Sequence, residues 1–101
     1  MGLDSYFFKT KAEFKDNIGM DMTNVLTEDL YYWRKNWDVH SYMETLYIGR
    51  GGKGDFNCEP IVLDELDLRG LSVNFPSETE SVEKALEAMR EGYTIIYDSW
   101  W

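Results

Sequence analysis

His40 and Cys58 are the only histidine and the only cysteine in the chain, so they are its one pairing of a base with a thiol. Thiol catalysis needs a base to draw the proton from sulfur and a third group to orient that base. Two single residues on separate elements supply no such third group. The sequence therefore points to a packed helix histidine beside a buried strand cysteine. On an apolar stripe His40 is expected to be neutral, with one ring nitrogen bonded to a carbonyl or carboxylate. No catalytic residue is assigned. Two-carboxylate chemistry needs a pair that nothing in this acidic chain singles out, and a zinc cage needs more thiols or imidazoles than it has. No metal or cofactor is expected.

The glycine-rich "GRGGKGD", residues 49–55, invites a phosphate-binding reading. A Walker loop requires Gly, four residues, then Gly-Lys-Ser/Thr, entered from a strand and leaving into a helix. Here a helix is predicted before the loop and a strand after it. The segment reads as a surface connection in which Arg50 and Lys53 are contact candidates.

A third concentration is "YYWRKNWDVHSYM", residues 31–43, with five aromatic residues, an arginine and a lysine. Leu30, Trp33, Trp37, His40, Met43 and Tyr47 recur at helical spacing, which predicts one buried helix face starting from an N-cap at Thr27 and ending near Gly49. Burying Trp33 and Trp37 would contribute about 2 to 3 kcal/mol each. Arg34 is expected to pair with Asp38 one turn on. Tyr31, Arg34, Lys35 and Tyr42 fall at the margin of the stripe and are candidates for partner contact, as are Trp100 and Trp101 at the end of the chain.

The remaining elements follow from local signals. "LDSYFFK" reads as a first strand, and "TKAEFKDNIGMDM" as a short helix or ordered loop. "FNCEPIVL" is a strand, Asp64 caps a short helix closed by Gly70, and "LSVNF" is a strand ended by Pro76. Ser77 with Glu80 forms a capping box for a helix whose stripe is Val82, Ala85, Leu86 and Met89. Gly92 ends that helix and "YTIIYDSWW" returns as a last strand. The expectation is a single α+β domain over residues 1–101, with two main helices on a small mixed or antiparallel sheet.

Charge limits the function. The net charge is −9, with eight acids and seven bases in residues 1–54 against eleven acids and three bases in residues 55–101. Such a surface repels phosphate backbones, so neither nucleic acid nor an anionic membrane is expected as a partner. A protein with a basic surface is the complement, and Glu80, Glu83 and Glu87 are the acidic contact candidates. The opening "MGLDSYFFKTK" has no long apolar core of a secretory signal, and no apolar run reaches the roughly 20 residues of a membrane span. A cytoplasmic location is expected.

"MGLD" followed by aromatics, then "YWRK" before "VH", then "NC", resembles a family of small uncharacterised proteins encoded by phages and prophages. The likeness falls on Met1, Gly2, Leu3, Asp4 and Tyr6, on Tyr32, Trp33, Arg34, Lys35, Val39 and His40, and on Asn57 and Cys58. Ser5 replaces the usual methionine, Trp37 stands where an asparagine is expected, and the likeness loosens beyond Pro76. The resemblance implies phage origin and transfers no activity. Acidic phage proteins of this size without a catalytic signature suggest a non-enzymatic inhibitor of a host factor, most sharply of anti-CRISPR or anti-restriction type. The alternative is a nucleotide-binding protein using stacked aromatics, with Arg34, Lys35, Arg50 and Lys53 on phosphate. A homodimer through Trp100 and Trp101 would also cover the last strand.

Overall fold

The computed structural model describes residues 2–101. Aromatic and β-branched residues at alternating positions build strands β1 (Asp4–Thr10), β2 (Glu28–Arg34), β3 (Ile61–Leu63) and β4 (Thr94–Trp100). They form one antiparallel sheet in the order β2-β1-β4-β3. Helices α1 (Trp37–Gly49), α2 (Glu65–Asn74) and α3 (Thr79–Arg90) complete an α+β domain, with a 3-10 turn at Pro76–Glu78 leading into α3. Among the described residues the three helices are the two main ones expected and the short one capped by Asp64, and the sheet is antiparallel throughout.

The predicted helix from Thr27 is replaced by two elements. Residues 28–34 pair with β1, Trp33 opposite Ser5 and Tyr31 opposite Phe7. The chain then turns at Lys35, whose φ is 56°, and restarts as a helix capped by Asn36, whose side chain accepts from the Val39 amide at 3.0 Å. The run "LYYW" suits a strand, and pairing with β1 prevails over the accidental helical spacing of Leu30 and Trp33. Arg34 and Asp38 therefore lie on different elements, and no ion pair forms between them.

Three other expectations change. "FNCEPIVL" contributes only Ile61–Leu63 to the sheet. "LSVNF" is the second half of α2 through Asn74, because Leu68 and Leu71 share one buried helical face. The Ser77 capping box does not form; Glu78 precedes α3 and its side chain is used elsewhere. The Asp64 cap holds, as a reciprocal box with Asp67, and Gly92 follows α3 at φ 93°. Residues 11–27 form an irregular connection in which Ile18 bridges Ile61 and the Val62 amide donates to the Asn17 carbonyl at 2.9 Å, so this segment lines the outer edge of β3.

The core lies between one sheet face and the helices. Phe7, Trp33, Ile61, Leu63, Ile95 and Tyr97 meet Val39, Met43 and Tyr47 of α1, Leu68 and Leu71 of α2, and Val82, Ala85 and Leu86 of α3. Phe7 and Trp33 pack edge-to-face at 4.6 Å. Among the described residues, no helix is long and apolar enough to cross a membrane.

Candidate functional site

Strand alternation sends Ser5 and Phe7 into the core and Asp4, Tyr6 and Phe8 to the opposite face. Cross-strand register then sets three rows on that face: Arg34, Asp4, Trp100; Tyr32, Tyr6, Asp98; and Asp29, Phe8, Ile96. The Tyr6 ring is the hub, with centroid separations of 4.9 Å to Tyr32, 5.2 Å to Phe8 and 5.2 Å to Trp100. Ile96 is fully buried, so the open part of the face is the end carrying Tyr32, 47% exposed, and Trp100, 39% exposed.

Carboxylates border this aromatic surface. The Tyr32 hydroxyl donates to Asp4 Oδ1 at 2.6 Å, a bond that holds the phenol above its ordinary range. Asp98 accepts from the Ser99 amide at 2.9 Å; burial, with the charge of Glu59, raises its carboxyl despite that bond. Among the described residues neither Asp4, Asp29 nor Asp98 has an ion-pair partner. Grouped aromatics with a polar rim are the chemistry of a macromolecular contact.

Of the predicted contact residues, Trp100 and Arg34 lie on this face. Lys35 is exposed in the turn after β2. Tyr31 points to the helix side against Trp33 at 4.9 Å, with Lys84 Nζ 5.5 Å from its ring; burial first, then Glu80 and Glu78, raises its phenol. Glu80, Glu83 and Glu87 are exposed on α3. Lys53 is exposed and lends its carbonyl to the Tyr47 hydroxyl at 2.8 Å. Tyr42 donates to the Asp67 carbonyl at 2.8 Å and is half-buried. Arg50 is committed internally, pairing with Asp67 and donating to the Val62 carbonyl at 2.9 Å. The four basic residues proposed for a nucleotide do not converge: Arg34 and Lys35 precede the 13-residue α1, and Arg50 and Lys53 follow it. Trp101 is half-buried on Trp37 and His40.

Tyr6, Phe8, Asp4 and Asp98 are not among the contact residues expected from the sequence, where Asp4 and Tyr6 carry only the family resemblance. Their signal is the alternation in "DSYFFK" and, for Asp98, in "YTIIYDSW", where every second residue shares a face. It becomes informative only when the helices are known to cover the other one.

His40 is 3% exposed, stacked on Phe56 at 4.9 Å and capped edge-on by Trp101 at 4.9 Å. Its Nδ1 lies 2.9 Å from the Tyr97 hydroxyl and 3.3 Å from Ser99 Oγ. The Tyr97 hydroxyl donates to Ser5 Oγ at 2.9 Å. Nε2 is buried without a hydrogen-bond partner among the described residues. Burial holds the imidazole below its ordinary pKa, against the opposing pull of Glu44 and of the Phe56 backbone. Trp37 is 49% exposed, outside the core stripe predicted for it. Cys58 is exposed rather than buried in a strand, and its Sγ lies 3.7 Å from Asn57 Oδ1.

Comparison with models of protein families, with curated proteins and with solved structures yields no match to this chain. The phage-family resemblance stays an expectation.

Proposed function

We propose that this chain is a non-enzymatic accessory protein, of the phage-encoded kind its sequence resembles, that binds a host protein on a basic surface and blocks it. Its sharpest form is anti-defence inhibition of a CRISPR or restriction system. The observation that carries the reading is the open sheet face, where Tyr6, Tyr32 and Trp100 form one aromatic surface among Asp4, Asp29 and Asp98. Aromatic residues supply contact area with little rotamer entropy to lose, while like-signed charge around them steers a basic partner and repels phosphate. The net charge of −9 and the glutamates of α3 extend that field over a second side of the domain.

The test is a plaquing assay in cells that carry defined CRISPR or restriction systems. Expression of the protein should restore phage plaquing against at least one of them, and a Tyr6→Leu, Trp100→Leu double variant of unchanged fold should not. No restoration across the panel removes the anti-defence form. Restoration by the double variant removes the sheet face as its contact surface.

A further inference from the structure

We propose that strand β2 pairs antiparallel with β2 of a second copy of this chain, about a two-fold axis at Tyr32, joining two four-stranded sheets edge to edge. The pairing stands or falls independently of the inhibition proposed above.

The two edges of the sheet are finished differently. The outer edge of β3 is covered, since Ile18 bridges Ile61 and the Val62 amide donates to the Asn17 carbonyl at 2.9 Å. β2 has only β1 beside it. The Lys35 amide donates to the Leu3 carbonyl at 2.6 Å, which sets the alternation of the β1–β2 ladder. Leu3, Ser5 and Phe7 bond toward β2, whereas Asp4, Tyr6 and Phe8 each face a non-bonded partner. Those partners are Arg34, Tyr32 and Asp29, so their backbone N–H and C=O groups point out of the sheet edge. None of these groups is hydrogen-bonded among the described residues. Unpaired edge groups on a β-prone run such as "LYYW" are a template for another strand.

The strand that fits this template is a second β2. Pairing with β1 jumps from Tyr31 opposite Phe7 to Asp29 opposite Phe8, so Leu30 is the extra residue of a bulge. With that residue absorbed, Asp29 and Arg34 stand two ladder positions to either side of Tyr32. Antiparallel pairing about Tyr32 then sets Asp29 of each copy opposite Arg34 of the other, with their outward backbone groups bonded to each other and their side chains on one face. One position further out, Glu28 meets Lys35 of the second copy. These four side chains sum to zero charge, and among the described residues none is in an ion pair within the chain. Opposite charges directly across a ladder stabilise it, so the edge accepts a second acidic chain that the glutamates elsewhere would repel. Paired this way, the open faces of both copies lie on one side of the assembly, with the two Tyr32 rings beside the axis.

The experiment is sedimentation equilibrium of the full chain up to NMR concentrations, with amide hydrogen exchange read residue by residue. The chain should approach twice the mass of one copy, and exchange at Asp29, Tyr32 and Arg34 should slow by at least about tenfold as it does. Asp29→Arg alone and Arg34→Asp alone set like charges opposite each other, and each variant should sediment as a monomer. Mixed, the two variants are complementary and should dimerise again. Both positions are exposed, and circular dichroism checks that each variant keeps the fold. Should either variant fail to fold, exchange in the parent chain decides. A monomer at every concentration overturns the self-pairing. So does a dimer in which those three amides exchange freely, which assigns the contact to another surface such as Trp100. A dimer that both charge reversals leave intact, or folded monomeric variants that stay monomeric on mixing, overturns it equally.

Discussion

The indole nitrogen of Trp33 donates to the Glu78 carboxylate at 2.7 Å, joining β2 to the turn before α3 across 45 positions of sequence. The same oxygen accepts from Ser81 Oγ at 3.1 Å, and the other lies 3.4 Å from Asn36 Nδ2. One buried carboxylate thus serves a strand, the α1 cap and the start of α3.

Glu78→Ala leaves the Trp33 N–H and the Ser81 hydroxyl without this acceptor and should destabilise the domain by about 2 to 3 kcal/mol. Glu78→Gln keeps an acceptor oxygen and should cost about half as much. Urea unfolding midpoints at an unchanged slope measure both, and equal losses would show that the acceptor geometry is not what matters.

Among the described residues Arg50 and Asp67 form the most buried ion pair, with side chains 17% and 10% exposed. Arg50→Met strands the Asp67 carboxylate and the Val62 carbonyl, a loss of about 3 kcal/mol. Adding Asp67→Asn removes the stranded charge while its side-chain oxygen still accepts from the Asp64 amide, so the double variant should be more stable than Arg50→Met alone.

Gly70 sits inside α2, where a Cβ would lie 2.3 Å from the Tyr42 hydroxyl oxygen and 3.5 Å from the ring carbon that bears it. Gly70→Ala gains about 1 kcal/mol of helix propensity and loses a similar amount by expelling that hydroxyl from the Asp67 carbonyl. Alone it should be close to neutral. In a Tyr42→Phe background, where the clash is gone, it should stabilise by about 0.5 to 1 kcal/mol, and additive behaviour in thermal melts would refute the steric account.

His40 and Tyr97 give the fold two separate pH signatures. The imidazole is depressed by burial from its ordinary 6.5, so above 6.5 folded and unfolded chains are both neutral there and its contribution is complete. As pH falls below 6.5 the unfolded chain takes the proton first, and stability drops by up to about 1.4 kcal/mol per pH unit until the folded value is passed. Burial of Tyr97 raises its phenol to about 12, so its contribution is complete below 10 and is lost as pH climbs through about 12. Asp98, raised by burial, acts with opposite sign to His40: its contribution is present at low pH and lost as pH rises through its folded value. Denaturation of His40→Gln between pH 5 and 8 should show a flatter profile than the parent, and Tyr97→Phe should delete the latest phenol ionisation in an alkaline absorbance titration.

Several elements were legible because their signals are local. The alternation in "DSYFFK" and "YTIIYDSW", the Asp64 cap and Gly92 after α3 each depend on a few adjacent residues, and the structure follows them. "LYYW" and "LSVNF" were misread for the opposite reason. Leu30 and Trp33 sit at a spacing that suits a helix, and the strand is selected by β1, more than twenty residues upstream. In "LSVNF" the β-prone residues are overruled by Leu68 and Leu71, which bury one helical face against the core. Arg50 was exposed in prospect because its partner, Asp67, lies in another element.

Composition and local pattern alone determined an acidic α+β domain, the location of most of its negative charge and the concentration of aromatics in residues 31–43. Tertiary structure decided which aromatics serve the core and which face outward. Trp33 goes inward with Phe7, Tyr32 outward with Tyr6, and Trp100 joins Tyr6 from β4. The reason is that a strand gives each residue a side but not a destination. Only the placement of three helices on one face of the sheet leaves Tyr6, Asp98 and Trp100 on the other.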